Sequence, residues 1–373
     1  MIIAINTLSL NSTKAGMGNY IYNLVNTLAI LDKKNCYYIF VSERNKEFFR
    51  ITQNNFRIIN LGDGVTKGLY RFIWEQFSLP RYLIKHRIDV LHSPGFVIPF
   101  FSKAKNVLTI ADMTFINYPK VHTLFKRAYF SLFMPISIRN ADKVIAISES
   151  TRKDAINLVR VSPEKIKVIH LAYGGEFILM DKKKARVFAK TRYGIDSPFI
   201  IFAGMIEPRK NLTRLFMAFS EIKKEGIPHK LVIVGKKGWK CKEIFKSVDK
   251  LDILEDVIFT GFIPDGDLAV LYNAAEMLAY PCLYEGFGIP ILEAMACGCP
   301  VMTSNVSSMP EVAGDAALLV SPKDAQQIKI SMKRLLTDSK LRQDMIRKGL
   351  KRSSQFSWQR CASETLKVYR EMA

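Results

Sequence analysis

The chain has 373 residues, of which 49% are apolar, so its length suits two α/β domains and its composition excludes a largely disordered protein. Its net charge is +21, with 24 Lys and Arg against 11 Asp and Glu in residues 1–175, which favours an anionic partner: nucleic acid, an acidic membrane surface or a phosphorylated substrate. Six scattered cysteines form no disulfide-like framework, which predicts a cytoplasmic protein.

Strands and helices alternate through the first half of the chain. Residues 2–6 are the first predicted strand, and because no basic leader precedes them we interpret them as core rather than as a signal peptide. An amphipathic helix is predicted over residues 18–31. Further strands are predicted at residues 37–41, 89–92, 106–110, 143–147 and 167–170. No run approaches the roughly 20 apolar residues that a spanning helix needs.

The pattern restarts after a turn-rich break at residues 172–175. A basic helix over residues 182–192 is predicted to bridge the two halves. Strands are predicted at residues 199–203, 231–234, 257–260, 277–280, 300–303 and 317–320, and a helix at residues 212–225. The alternation predicts an α/β fold of two Rossmann-like, doubly wound domains, residues 1–175 and 176–355, with ligands beyond the carboxyl ends of the strands in the cleft between them.

A glycine-rich loop followed by a helix gives the strongest chemical signal. Gly286 and Gly288 let backbone N–H groups approach a ligand closely, and Pro290 suits the first turn of a helix. Glu285 in the loop and Glu293 in the helix supply carboxylates that accept hydrogen bonds from hydroxyls. Two carboxylates beside exposed amides predict a site for a polyol.

A second polar cluster follows the strand that opens the second half. Asn211 is a plausible N-cap for the next helix, so Arg209 and Lys210 are expected at a helix N-terminus. There the dipole and both side chains favour phosphate. Lys236 and Lys237, after the following strand, are equally consistent with further phosphate contacts and with a basic surface turn.

These motifs together resemble the retaining GT-B glycosyltransferases of family 4, and the resemblance covers essentially the whole chain. Beside the two clusters, the matching segments are Gly16-Met-Gly-Asn-Tyr20, Ala141-Asp-Lys-Val-Ile-Ala-Ile-Ser-Glu-Ser-Thr151, Gly261-Phe262, Leu271-Tyr272, Glu293-Ala-Met-Ala-Cys-Gly-Cys-Pro300 and Phe356-Ser-Trp358. The ensemble is specific, although no single segment would be.

The resemblance implies two Rossmann-like domains facing a central cleft, with the C-terminal helix at residues 356–373 packing back on the first domain. It also implies that Arg209, Lys210 and Glu285 are the catalytic group: the two cations hold the donor diphosphate, and Glu285 holds the transferred sugar. The other implied donor contacts are the loop glycines Gly16 and Gly18, Phe262 and Ile263 near the base, Gly286, Phe287 and Gly288 at the sugar, and Glu293 at the ribose.

His92 and Asp112 are the expected acceptor-side residues, although a structural role for His92 is also open. The chain departs from many relatives at Ala111, where they carry a histidine thought to contact the sugar or the acceptor, and at Met205, where some carry arginine. The alanine puts turnover rate and acceptor chemistry in question, and the methionine leaves more of the phosphate binding to Arg209.

We expect neither a metal nor a cofactor. Arg, Lys and helix dipoles would neutralise the leaving diphosphate, and the transfer would retain the anomeric configuration. Asp265-Gly-Asp267 imitates a metal-binding pair, but its position before a helix favours a turn and an N-cap. Cys297-Gly-Cys299 has no second pair or histidine nearby, which argues against zinc.

Within the family the chain looks most like bacterial mannosyltransferases of surface polysaccharide assembly, so GDP-mannose and a glycan or lipid-linked acceptor are the first expectations. The alternatives are another GT-B enzyme, an epimerase or a phosphorylase, and a basic nucleic-acid-binding protein. The nucleic-acid alternative lacks a recognition motif, and the glutamates would repel phosphate.

The first half also contains two stretches that mix basic and large apolar residues, at residues 68–87 and 126–134. Such stretches suit peripheral contact with the anionic cytoplasmic face of the inner membrane. They are equally consistent with helices that pack on the sheet with their basic ends in solvent.

Overall fold

A computed structural model describes residues 1–10, 16–66, 68–119 and 124–372 of the protein. Contacts divide the chain into two compact units. Unit 1 consists of Met1–Leu171 together with Ser357–Ala373, and unit 2 consists of Ala172–Phe356. Each unit is built on a parallel sheet with helices around it, which confirms the predicted fold class of two Rossmann-like α/β domains.

The described strands of unit 1 are β1 (Ile2–Asn6), β2 (Cys36–Val41), β3 (Phe56–Asn60), β4 (Val90–Pro94), β5 (Lys105–Ile110), β6 (Lys143–Ala146) and β7 (Ile166–Val168). They run in the order β3-β2-β1-β4-β5-β6-β7. The strand order reverses at β1, where Ile3 pairs with Tyr37 on one side and Val90 on the other. Such a reversal opens a crevice at the carboxyl ends of the strands, where ligands of this fold class bind.

The described helices of unit 1 are α1 (Met17–Leu31), α2 (Gly68–Ile73), α3 (Leu79–Lys85), α4 (Thr114–Asn117), α5 (Leu124–Asn140) and α6 (Glu149–Val159). A π-helical turn, Trp74–Ser78, joins α2 to α3. The last helix of the chain, α15 (Trp358–Arg370), also belongs to unit 1 and packs against α1. Tyr20 of α1 lies against Trp358, with ring centroids 6.4 Å apart.

The described strands of unit 2 are β8 (Phe199–Ala203), β9 (Lys230–Val234), β10 (Val257–Gly261), β11 (Met277–Tyr280), β12 (Val301–Ser304) and β13 (Ala317–Val320). They run in the order β10-β9-β8-β11-β12-β13. The order therefore reverses at β8, and the loops after β8 and β11 lie side by side.

The helices of unit 2 are α7 (Lys182–Tyr193), α8 (Leu212–Lys224), α9 (Lys242–Lys250), α10 (Asp265–Ala274), α11 (Ile289–Ala296), α12 (Met309–Ala313), α13 (Ala325–Thr337) and α14 (Ser339–Ser353). The predicted bridging helix is α7, and it packs within unit 2 against α10. Lys182 and Arg186 on its surface both pair with Glu276, which holds the helix to that unit. No described helix is long and apolar enough to cross a bilayer.

Candidate active site

The adjacent loops after β8 and β11 bring Arg209, Lys210 and Glu285 together. Arg209 and Lys210 lie in the 3-10 turn Pro208–Lys210, directly beyond β8. Glu285 lies in the loop between β11 and α11. The two loops are joined by a backbone hydrogen bond from Leu283 N to Arg209 O, 2.9 Å long. These three side chains come together because β8 and β11 are neighbouring parallel strands. The carboxyl ends of such strands lie at the same edge of the sheet.

Both cations are bonded to Glu285. Lys210 Nζ lies 2.5 Å from Glu285 Oε1, and Arg209 Nη1 lies 3.2 Å from Glu285 Oε2. Arg209 Nη1 also donates to the carbonyl of Tyr284 at 2.9 Å. Burial by itself would raise the pKa of the Glu285 carboxyl, but the charges of Arg209 and Lys210 outweigh it and lower that pKa to about 2. Glu285 is therefore ionised throughout the physiological pH range.

Two further residues of this cluster were not predicted from the sequence. Tyr280, at the end of β11, has its hydroxyl 3.0 Å from Lys210 Nζ and 3.1 Å from Glu285 Oε1. Glu207 Oε1 accepts from Arg209 Nε at 3.1 Å and from Nη2 at 2.9 Å. Glu207 Oε2 is buried and has no hydrogen-bond partner among the described residues. The two acids and two cations, of which only Arg209 is partly exposed, form a group of balanced charge that we call the buried quartet.

Asn211 does not cap α8 as expected. It takes a left-handed backbone conformation, with φ of 61°, and its side chain makes no capping bond. Its amide instead donates to the carbonyls of Pro281, at 2.8 Å, and Pro322, at 2.7 Å. Asn211 therefore fastens the loop that carries Arg209 and Lys210 to two neighbouring loops.

Glu293 lies on α11 and has a separate environment. Its side chain is buried, and its Oε2 lies 3.3 Å from the hydroxyl of Tyr272. Burial, reinforced by the charges of Asp265 and Glu176, raises the pKa of Glu293 to about 8. The two predicted carboxylates are thus opposite in character, one held ionised by cations and the other held protonated at neutral pH by burial.

The glycine-rich loop leads into α11 as predicted. Gly288 has a φ of 100°, a conformation that favours glycine, and Pro290 lies in the first turn of the helix. Phe287 is buried, with its ring 6.0 Å from that of Phe356. Since its side chain is part of the core, Phe287 offers a ligand only its backbone. Gly286 lies between it and Glu285.

The predicted base-binding residues differ in exposure. Phe262 is 58% exposed, and Lys236 Nζ lies 4.5 Å from its ring centroid, a cation–π arrangement. Ile263 is buried beside it. Lys237 lies over Phe245 instead, 4.9 Å from the ring centroid, so the two lysines occupy different surroundings.

Four predicted site residues belong to unit 1. Gly16, with a φ of 56°, precedes α1, and Gly18 is buried in its first turn; residues 11–15 of the same loop lie outside the described residues. Asp112 Oδ1 accepts from Thr114 N at 2.9 Å and from the Thr114 hydroxyl at 2.6 Å, which ties Asp112 to the first residue of α4. Asp112 is partly exposed at the carboxyl end of β5.

His92 is fully buried in β4, and the structure gives it a clear structural role. Its Nδ1 lies 2.6 Å from the hydroxyl of Tyr369 on α15, and its Nε2 lies 2.7 Å from Thr109 Oγ1. Burial lowers the pKa of His92 to about 3, so the ring is neutral. Because both ring nitrogens are occupied inside unit 1, His92 holds the last helix to the sheet, and we do not retain it as an acceptor contact.

The acidic pair beside Phe262 is part of a helix. Asp265 and Asp267 lie in the first turn of α10, which begins one turn earlier than expected, with Pro264 in the cap position. Asp267 Oδ2 accepts from the hydroxyl of Tyr193 at 2.5 Å. Among the described residues, no group of three or more His, Cys, Asp and Glu side chains is arranged to hold a metal ion.

Comparison with protein families gives two matches. Residues 15–173 match the model described as Glycosyltransferase Family 4, and residues 184–352 match the model described as Glycosyl transferases group 1. The first covers most of unit 1 and ends two residues beyond Leu171, and the second lies within unit 2. The two matches together span most of the chain.

Among curated proteins, the chain is 30% identical over 282 residues to the O-antigen chain mannosyltransferase B of Escherichia coli, covering 75% of this chain and 74% of that protein. It is 34% identical over 222 residues to the serotype-specific mannosyltransferase WbdA of Escherichia coli. That match covers 58% of this chain but only 27% of WbdA, so the matched part of the chain corresponds to about a quarter of the larger protein.

Solved structures show the same fold at lower identity. The sucrose-phosphate synthase of Thermosynechococcus elongatus is similar with a TM-score of 0.78 and 21% identity, covering 100% of this chain and 99% of that one. WaaG, a glycosyltransferase involved in lipopolysaccharide biosynthesis, is similar with a TM-score of 0.73 and 16% identity, covering 99% of each chain. Both likenesses extend over both units.

Proposed function

Because the chain belongs to the family 4 glycosyltransferases, also described as glycosyl transferases group 1, we propose that it transfers mannose from GDP-mannose to a glycan or lipid-linked acceptor in bacterial surface polysaccharide assembly. The observation that carries the proposal is the buried quartet around Glu285, with two cations at the carboxyl edge of the unit 2 sheet. The choice of mannose rests on the similarity to the O-antigen chain mannosyltransferase B.

Arg209 and Lys210 are the proposed phosphate-binding pair. In the free protein their charges are balanced by Glu285 and Glu207. A nucleoside diphosphate presents more negative charge than one carboxylate, and guanidinium groups bind it in a bidentate manner. We therefore expect the donor diphosphate to draw the two cations from Glu285 toward itself, which frees the Glu285 oxygens for hydroxyl groups of the sugar.

The remaining donor contacts in this proposal follow the family resemblance. Glu285, with the backbone around Gly286, Phe287 and Gly288, holds the transferred sugar. Glu293 binds the ribose hydroxyls. The exposed ring of Phe262, beside Ile263, is a surface on which a base can stack.

Catalysis in this proposal is metal-independent and retaining. The charge that develops on the leaving diphosphate is stabilised by Arg209 and Lys210, two cations fixed in a buried site before the reaction begins. The leaving phosphate takes the acceptor proton on the same face of the sugar. On unit 1 the proposed ligand contacts are the Gly16–Gly18 loop and Asp112.

The test is transfer itself. The protein is incubated with GDP-mannose and a mannoside acceptor, and the product is analysed by NMR spectroscopy. We expect release of GDP and a new α-mannosidic linkage. A β-linked product would contradict retention, and salt-sensitive binding to arbitrary DNA without any turnover of nucleotide sugars would favour the nucleic-acid alternative.

Peripheral membrane contact through unit 1 is the second part of the proposal. The segment from α2 to α3 exposes one apolar stripe, consisting of Tyr70, Ile73, Phe77 and Ile84, whose residues are 44–58% exposed. Aromatic contacts link this segment to α5, since Phe72 lies 5.0 Å from Phe133 between ring centroids. Leu132 of α5 is 57% exposed.

Basic residues accompany this apolar surface. Arg81, Lys85 and Arg127 are exposed on the same helices, and residues 113–140 contain four Lys and Arg but no Asp or Glu. Each basic residue near an anionic leaflet contributes about 1 kcal/mol. The combination supports contact with an acidic bilayer, which would place unit 1 beside a lipid-linked acceptor.

Co-sedimentation with vesicles of graded phosphatidylglycerol content tests this contact. We expect binding that rises with the acidic lipid and falls in Ile73→Ser/Phe77→Ser. Ile330→Ser is the matched control, because Ile330 is also exposed but lies on α13 of unit 2. Equal and negligible binding to neutral and acidic vesicles at low salt would contradict the membrane contact and favour a soluble acceptor.

A further inference from the structure

Four hydroxyl side chains at the end of β12 and in the loop after it bond the carbonyls of the neighbouring loop that carries Glu285. We call this set the hydroxyl bracket: Thr303, Ser304, Ser307 and Ser308. Thr303 Oγ1 donates to Tyr280 O at 2.9 Å, and Ser304 Oγ donates to Cys282 O at 2.7 Å. Ser307 Oγ donates to Glu285 O, and Ser308 Oγ lies 2.9 Å from Glu285 O and 2.8 Å from Phe287 O.

The two members nearest Glu285 have special geometry. Ser308 is fully buried, and its single proton is shared between two carbonyls in a three-centre bond. Ser307 also accepts from Glu285 N, at 3.3 Å, so it contacts both polar groups of that residue's backbone. Ser307 has a φ of 58°, which is costly for a residue with a side chain.

We propose that Ser307 and Ser308 are positioning residues for the sugar-binding loop. By holding the carbonyls of Glu285 and Phe287 toward β12, they fix the peptide planes of the loop and aim the Glu285 side chain at Lys210. The inference rests on the proposed function, because it assigns these bonds a role in donor binding. Neither serine contacts the donor in this account; both act through the Glu285 loop.

Ser308→Ala and Ser307→Gly are the informative variants, and Ser304→Ala is the matched control. Ser304 is equally buried and makes the same kind of hydroxyl–carbonyl bond, but to Cys282, three residues before Glu285. Ser307→Gly removes the hydroxyl, and glycine adopts the left-handed backbone conformation without strain. This variant is therefore expected to fold. The measurements are thermal unfolding, amide hydrogen exchange of residues 284–288, and KM and kcat for GDP-mannose.

We expect Ser308→Ala and Ser307→Gly to increase exchange in residues 284–288 and to raise KM for GDP-mannose about tenfold, the cost of one hydrogen bond. Ser304→Ala should lower the unfolding temperature about as much as Ser308→Ala but change KM less than threefold.

Unchanged exchange in both informative variants, or equal KM increases in all three, would overturn the inference. Exchange is read without substrate. A wild-type protein inactive with every nucleotide sugar would thus contradict the proposed function, while the exchange measurement would still decide whether Ser307 and Ser308 position the Glu285 loop.

Discussion

Lys210 and Glu285 form an ion pair that is at least nine-tenths buried, with 2.5 Å between Nζ and Oε1. Arg209 and Glu207 complete the charge balance around it. Removing two charges from water is costly unless each finds a partner of opposite sign. We therefore expect the same four residues to affect both the stability of unit 2 and, in the proposed function, the attraction of its cations for a diphosphate.

Lys210→Met is predicted to destabilise the protein by about 3–5 kcal/mol, because it leaves the buried Glu285 carboxylate with one cation fewer. Lys210→Met/Glu285→Gln should recover much of the loss. Urea unfolding measures both values, and a neutral single variant would show that the pair is not buried in solution.

Glu293 is predicted to make stability fall as pH rises. Its folded pKa of about 8 exceeds its ordinary value of 4.5, so between these values the unfolded chain releases a proton that the folded protein keeps. Relative to wild type, Glu293→Gln should gain about 3 kcal/mol between pH 5 and pH 8. Parallel stability curves for the two proteins would mean that Glu293 is ionised in the folded state.

Tyr369→Phe is predicted to cost about 1–3 kcal/mol, because it leaves His92 Nδ1 buried without its partner. Tyr193→Phe is the comparison, since the Tyr193 hydroxyl bonds Asp267 in a less buried setting. Loss of the Tyr193 hydroxyl should lower the free energy of unfolding by less. If the two variants unfold at the same denaturant concentration, His92 does not anchor α15.

Activity is predicted to survive EDTA, because the proposed site supplies Arg209 and Lys210 where a metal ion would otherwise act. The assay compares initial rates with and without the chelator. Loss of activity that manganese or magnesium restores would contradict metal independence. It would favour Asp265 and Asp267 as metal ligands.

The sequence predicted the strands and the loops that carry the candidate site. It did not predict the roles of side chains that act through hydrogen bonds to distant parts of the chain. Glu285 and Arg209 were expected in one site from the family resemblance, and the strand order brings them together because they follow the neighbouring parallel strands β11 and β8. The roles of Tyr280 and Ser308 were not foreseen, since a hydroxyl that bonds a carbonyl far away in sequence follows no periodic pattern. Asn211 was assigned as a cap because its residue type suits one, but three-dimensional packing directs its amide to two other loops.

Titration calorimetry with GDP-mannose tests the central claim most directly, because it needs no acceptor. Wild type should bind GDP-mannose more tightly than UDP-glucose, and Glu293→Ala should weaken that binding about tenfold through loss of a hydrogen bond to the ribose. Glu221→Ala, which removes a partly exposed acid from α8, should bind as wild type does. Absence of binding to every nucleotide sugar by the folded protein, or unchanged binding in Glu293→Ala, would contradict the account.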